Sequence, residues 1–202
     1  MKKLFVLLFF CSITAQAQLS SYRYKQALEN LNQSGWHSLT LPITIFDRME
    51  RYNDLRIYGI SVTDTIEVPY MMADTLVATQ TITHFAVKND KASKHTIIDV
   101  KLPEILLLGK VAVQPAATYD YYRSVKILQN ETTDDTYLSS VAKGVLNSKG
   151  NNIYTFAPQL FKHLQIDIDN QDNTPLAISE ITLFPITYKL TARFPDTDHH
   201  YF

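Results

Sequence analysis

The chain reads as an all-β protein, a sandwich or jelly roll preceded by a smaller β-rich part with one short helix. Three observations carry that reading. Apolar residues alternate with polar ones at period two in the segment 161–184, where Leu164, Ile166 and Ile168 oppose His163, Gln165, Asp167 and Asp169. Short runs rich in Val, Ile, Thr and Tyr recur along the chain, separated by clusters of Asn, Asp, Ser and Pro. One stretch, Ile43–Tyr52, reads as a short helix, with the apolar spacing of a helical face through Ile45, Phe46 and Met49. Many short strands with turn clusters between them are the pattern of sandwiches and jelly rolls.

In order, Lys2-Lys3, the apolar run Leu4–Ile13 and Ala15-Gln16-Ala17 form a leader with a small-x-small cleavage pattern, so export is expected and the mature chain begins at Gln18. The apolar run is ten residues long, against roughly 20 for a bilayer span. Cleavage removes Lys2 and Lys3, leaving 17 basic against 20 acidic side chains, a balance of −3. That balance argues against a dedicated nucleic-acid binder. It also removes Cys11, the sole cysteine, and with it any disulfide or thiolate chemistry.

Ser20–Leu28 alternates through Tyr22, Tyr24, Gln26 and Leu28, while Lys25–Leu31 also tolerates helical spacing. The turn Asn32–Gly35, running straight into a strand over Trp36–Leu41, favours a strand there too. The short helix follows, ended by Asn53. Strands are expected at Leu55–Ile60 and within Thr65–Met72, where Pro69 marks an edge or a strand end. Further strands are expected at Thr79–Val87, His95–Leu102, Leu106–Val113, Ser124–Gln129, Tyr137–Val145 and Asn151–Phe156. The turn Asn170–Pro175 separates the two runs of 161–184. After it Leu176, Ile178 and Ile181 resume an apolar face, and Ile186–Phe194 is the last strand. The expected organisation is a leader over 1–17, a β-rich part over 18–88, a jelly roll over 89–185 and a last strand with a polar tail over 186–202.

Three ordered blocks carry a resemblance: Trp36–Pro42 leading to Asn53–Tyr58 and Ile66–Tyr70; Tyr121–Ile127; and Leu164–Ile181. They resemble a family of uncharacterised exported bacterial proteins with no established activity. The segment His95–Phe184 also resembles discoidin-type, galactose-binding-like jelly rolls, whose strand order Thr96–Leu102, Leu106–Val113, Tyr122–Leu128 and Leu164–Ile168 follow. Members of the exported family generally continue further and often end in a membrane anchor. The resemblance therefore implies a short member or a truncated frame, with a final strand lacking its neighbour.

The candidate site residues are few. Tyr119, Tyr121, Tyr122 and Arg123 sit where a loop enters a strand, and aromatic faces beside a guanidinium suit a sugar ring. Packing over the end of the sandwich is the plainer use of the same residues. Asp167, Asp169 and Asp172, with Asn170 and Asn173, place five oxygen-bearing side chains within seven residues. Calcium takes roughly six to eight oxygens, so the turn is a partial candidate for it, although it lacks the helix-loop-helix calcium motif. An Asx-type turn with solvated carboxylates accounts for the same residues. Asp54 and Arg56 share a strand face with Glu67 across from them, the makings of a surface ion pair. None of His37, His84, His95, His163, His199 and His200 falls in a metal-binding spacing, and no nucleophile elbow or phosphate loop occurs. The expectation is an exported, non-catalytic binding or scaffolding module of the periplasm or outer surface. Its partner would be an envelope glycan or protein, and it would need no cofactor unless calcium. The competing readings are a structural part of a membrane-anchored assembly and a glycan hydrolase using acids such as Glu67 or Asp167.

Overall fold

A computed structural model describes residues 22–46, 48, 54–130 and 137–202. The leader 1–17, the start of the expected strand at Ser20, most of Phe46–Asn53 and the turn 131–136 lie outside the described residues. The chain divides into two compact units, one of residues Met1–Ala73 with Lys189–Phe202, the other of Asp74–Tyr188.

The second unit is a curled antiparallel sheet. Its strands are β5 (Gln80–Ile82), β6 (Ala86–Asp90), β7 (His95–Pro115), β8 (Tyr122–Asn130), β9 (Ser139–Asn147), β10 (Ile153–Asp169) and the first part of β11 (Ile178–Phe194). Their order across the sheet is β5-β11-β7-β10-β8-β9, with β6 also on β7. Strand β7 has β10 along one side, while β6 lines its beginning and β11 its end. Strand β8 covers only the C-terminal half of β10. The β7–β10 ladder shifts register between Thr155 and Gln159 and again between Phe161 and His163, and such irregularities bend a sheet. The two halves of β7 thus put their apolar faces into one core with Val125, Ile127, Phe161, Leu164, Ile166, Ile168, Ile181 and Leu183. In β7 the buried positions alternate through Ile98, Val100 and Leu102, run together at Leu106, Leu107 and Leu108, and alternate again at Val111 and Val113. This change from even to odd numbers follows the irregular step near Gly109. Strand β9 lies so close over β10 that a Cβ on Gly144 would stand 2.9 Å from Tyr154 Cε1.

The first unit holds a three-stranded antiparallel sheet, β12 (His200–Tyr201), β2 (Ile57–Ile60) and β3 (Thr65–Val68). Strand β1 (Gly35–Thr40) pairs with the end of β11, Trp36 opposite Arg193 and Thr40 opposite Lys189. Leu41, Ile57, Val68, Leu190, Phe194 and Tyr201 are buried here, and the Phe194 and Tyr201 rings meet edge to face at 4.8 Å. Strand β4 (Tyr70–Leu76) follows β3 directly, the break falling at Pro69, whose nitrogen has no hydrogen to give a ladder.

The all-β expectation is what the structure shows, with differences in detail. Within Ile43–Tyr52 the described helix is a single 3₁₀ turn, Ile43–Ile45, with Phe46 N–H donating to Ile43 O at 3.0 Å. The run Ile-Thr-Ile is β-branched and no side chain caps it, both unfavourable to an α-helix. Tyr22–Leu28 is not a strand, although Leu28 N–H donates to Tyr201 O at 2.9 Å. Tyr22 and Tyr24 stay exposed, so alternation in the sequence is not matched by a buried face. Thr79–Val87 breaks into β5 and β6, whereas His95–Leu102 and Leu106–Val113 fuse into β7. The last strand does not lack a neighbour, because β1 pairs with it from Lys189 to Phe194.

Candidate functional site

One end of the second unit is built from the β7–β8 loop and the β9–β10 turn. Strand β7 stops at the buried Pro115, and Ala116 N–H donates to Ala177 O at 2.8 Å. In the β9–β10 turn, Asn147 Oδ1 accepts from Lys149 N–H at 2.9 Å, and Asn152 Oδ1 accepts from Asn147 N–H at 2.9 Å. Asn152 itself is left-handed, φ 49°, a conformation that asparagine tolerates better than most residues. The turn is fastened to the loop by Ser148 N–H on Tyr121 O at 3.1 Å and by Ser148 Oγ on Asp120 Oδ1 at 2.9 Å. Lys149 Nζ lies 3.1 Å from the same carboxylate. The Ser148 hydrogen bond, then Lys149, holds the Asp120 carboxyl below its ordinary range.

The three residues expected to touch a ligand play different parts. Tyr122 is 65% exposed and presents its ring to solvent. Tyr121 packs against the core, and its hydroxyl accepts from Asn152 Nδ2 at 3.3 Å. Arg123 is buried and donates from Nη1 to Tyr122 O at 2.8 Å. A guanidinium so placed stiffens the backbone that carries Tyr122. Tyr119, 53% exposed, stands three residues before Tyr122 on the same loop. Sequence reasoning passed over Asp120, Ser148 and Lys149. The polar residues of 147–151 suit a turn, and nothing in them says that it meets the loop.

The acidic turn lies in the same unit but is already occupied with hydrogen bonds. Asp167 pairs with His95 Nδ1 at 2.5 Å, and Asp172 with Lys94 Nζ at 2.5 Å. Asp169 Oδ1 accepts from Gln171 N–H at 2.9 Å. Asn170 is buried, its amide donating to Thr96 Oγ1 at 2.9 Å and its N–H to Lys94 O at 2.9 Å. These contacts dock the turn on the connection between β6 and β7. The bond from Lys94 holds the Asp172 carboxyl below its ordinary range. Among the described residues no three His, Cys, Asp or Glu side chains gather as a metal group would require. In the first unit Glu67 faces Arg56 at 3.2 Å, the surface ion pair expected of them. No helix among the described residues is long and apolar enough to cross a membrane.

No family profile and no curated protein matches the chain. Among solved structures it is similar to the paired modules titled CBM32-1 and CBM32-2 of Clostridium perfringens ZmpB, with TM-score 0.39 and 11% identity over 81% of this chain and 43% of that one. It is similar too to the CBM32 of AlyQ, solved with 4,5-unsaturated mannuronic acid, at TM-score 0.36 and 11% identity over 65% of this chain and 96% of that one. A third is the family 32 module of C. perfringens NanJ, solved with galactose, at TM-score 0.36 and 15% identity over 63% and 98%. The chain spans less than half the length of the paired ZmpB modules. Likeness at this level assigns neither ancestry nor ligand.

Proposed function

We propose that this protein is a non-catalytic carbohydrate-binding module, exported to the periplasm or cell surface, that holds an envelope glycan at the β7–β8 end of its second unit. One observation carries the reading: Tyr119 and Tyr122 expose their rings on a loop whose Asp120 is tied to Ser148 and Lys149 of the β9–β10 turn and whose backbone accepts from the buried Arg123. Exposed aromatic faces bury the C–H face of a sugar, and polar groups beside them take its hydroxyls. A loop pinned before binding loses little freedom on binding. Hydrolysis is less favoured, since Glu67 and Asp167 are each committed to a cationic or imidazole partner.

The test is a glycan array with the chain from Gln18 onward, followed by titration of any hit. Tyr122→Ala should weaken binding by about tenfold, the loss of roughly 1.4 kcal/mol of stacking. Arg123→Lys should weaken it less, by loosening the loop. A folded protein that binds nothing on the array would remove the proposal in favour of an envelope protein partner. Running the array with calcium and then with chelator addresses Asp167, Asp169 and Asp172. Because these carboxylates already have partners, chelator is expected to leave both binding and Tm unchanged. A fall in either would assign an ion to that turn.

A further inference from the structure

We propose that a second surface, the outward face of β1 and the end of β11, binds an acidic polysaccharide through Trp36, Arg193 and Lys189. Period-two alternation sends His37 and Leu39 inward, where His37 meets Phe194 edge to face at 5.6 Å. Trp36, Ser38 and Thr40 face outward, opposite Arg193, Thr191 and Lys189. Residues directly opposite in an antiparallel pair share a face, so the tryptophan, three hydroxyls and two cations form one strip. Trp36 is the only tryptophan in the chain and is 64% exposed. A side chain of that size left in water contributes nothing to the core, and such residues recur where partners bind.

The charge selects the partner. Arg193 and Lys189 are exposed, and among the described residues neither forms an ion pair. They stand four residues apart on one strand, about 13 Å at the usual rise. That spacing suits carboxylates on separate residues of an extended polymer better than one small anion. Arg accepts a carboxylate in a two-pronged geometry, the indole covers a sugar ring, and the hydroxyls of Ser38, Thr40 and Thr191 can exchange hydrogen bonds with ring oxygens. A nucleic acid is less well matched. Two cations neutralise few phosphates, and the whole chain carries a net charge of −1. The surface belongs to the first unit and uses none of the residues of the β7–β8 end, so it does not depend on the function proposed for that end.

The sole tryptophan makes the test direct. Emission of the full chain is followed while oligogalacturonate is added, in parallel with its methyl ester, poly-glutamate and an oligothymidylate. The expected result is a saturable blue shift with oligogalacturonate, weakened by salt, and at least tenfold weaker with the ester. Arg193→Gln with Lys189→Gln should lower the affinity about tenfold or more, with the far-UV circular dichroism of the free protein showing that the variant is folded. Tyr119→Ala with Tyr122→Ala should leave the response intact. No shift at saturating oligogalacturonate overturns the proposal, as does an equal response to the ester. An equal response to poly-glutamate or oligothymidylate overturns it in favour of a peptide or nucleic-acid partner. Loss of the shift in the double tyrosine variant would move the binding to the other end.

Discussion

His199 sits between two carboxylates, its Nδ1 at 2.8 Å from Asp196 and its Nε2 at 3.0 Å from Asp64, with Ser61 Oγ also bonded to Asp64. Both ring nitrogens donate only in the imidazolium form. The Asp196 bond, followed by Asp64, accordingly raises the pKa of His199 above its ordinary 6.5. Asp196 is lowered first by its bond from His199, and Asp64 first by its bond from Ser61. The raised imidazole contributes stability in full below 6.5 and loses it as pH rises through the folded value; the lowered carboxyls contribute above 3.8 and lose it as pH falls. Tm should therefore peak in mildly acidic solution between those limits, and His199→Gln should flatten the alkaline side of the profile. A profile unchanged by the substitution would show that the clamp does not govern stability. A second residue-scale prediction concerns Gly59. A Cβ there would stand 2.6 Å from Cε1 of Tyr201, a ring only 4% exposed. Overpacking of this kind costs about 1–3 kcal/mol, to be read by urea denaturation of Gly59→Ala.

At the scale of elements, the segment 161–184 shows what periodicity does and does not reveal. Both of its runs are strands, β10 and β11, yet they are not partners, because β7 lies between them. The alternation of β10 was legible through Leu164, Ile166 and Ile168, each fully buried. Ahead of β11 Leu176 is buried; within the strand Ile178 packs against the core, and the buried positions then continue at Ile181 and Leu183. The register shift between Ile178 and Glu180 swaps the face. Ile181→Ala should cost about 2–5 kcal/mol, and Ile178→Ala clearly less, since Ile181 is fully buried and Ile178 only partly. Equal losses would mean that the register shift does not set the face. The tyrosine loop was legible as aromatic and cationic, but not in its division of labour. Tyr121 and Tyr122 are adjacent, and whichever ring points inward is decided by the strand that Tyr122 begins.

Across the whole molecule, the first unit is closed by residues from far along the chain. Tyr58 N–H donates to Phe202 O at 3.0 Å and Phe202 N–H to Tyr58 O at 2.8 Å, while β12 pairs with β2. Removing Asp196–Phe202 should release the amides of Ile57–Ile60 to rapid hydrogen exchange. Those of β7 and β10, in the other unit, should remain protected. Simultaneous loss of protection in both would indicate one cooperative unit. The sequence by itself determined the all-β class, the positions of most strands and the polar turns between them. It did so because alternation, proline breaks and Asn/Asp turns act over a few residues. Only the tertiary structure decided which strands are neighbours, that Lys189–Phe202 joins residues before Asp74, and that Ser148 and Lys149 meet Asp120. Ladder hydrogen bonds are chemically alike along every strand, so pairing is selected by how all the apolar faces close together rather than by any local signal.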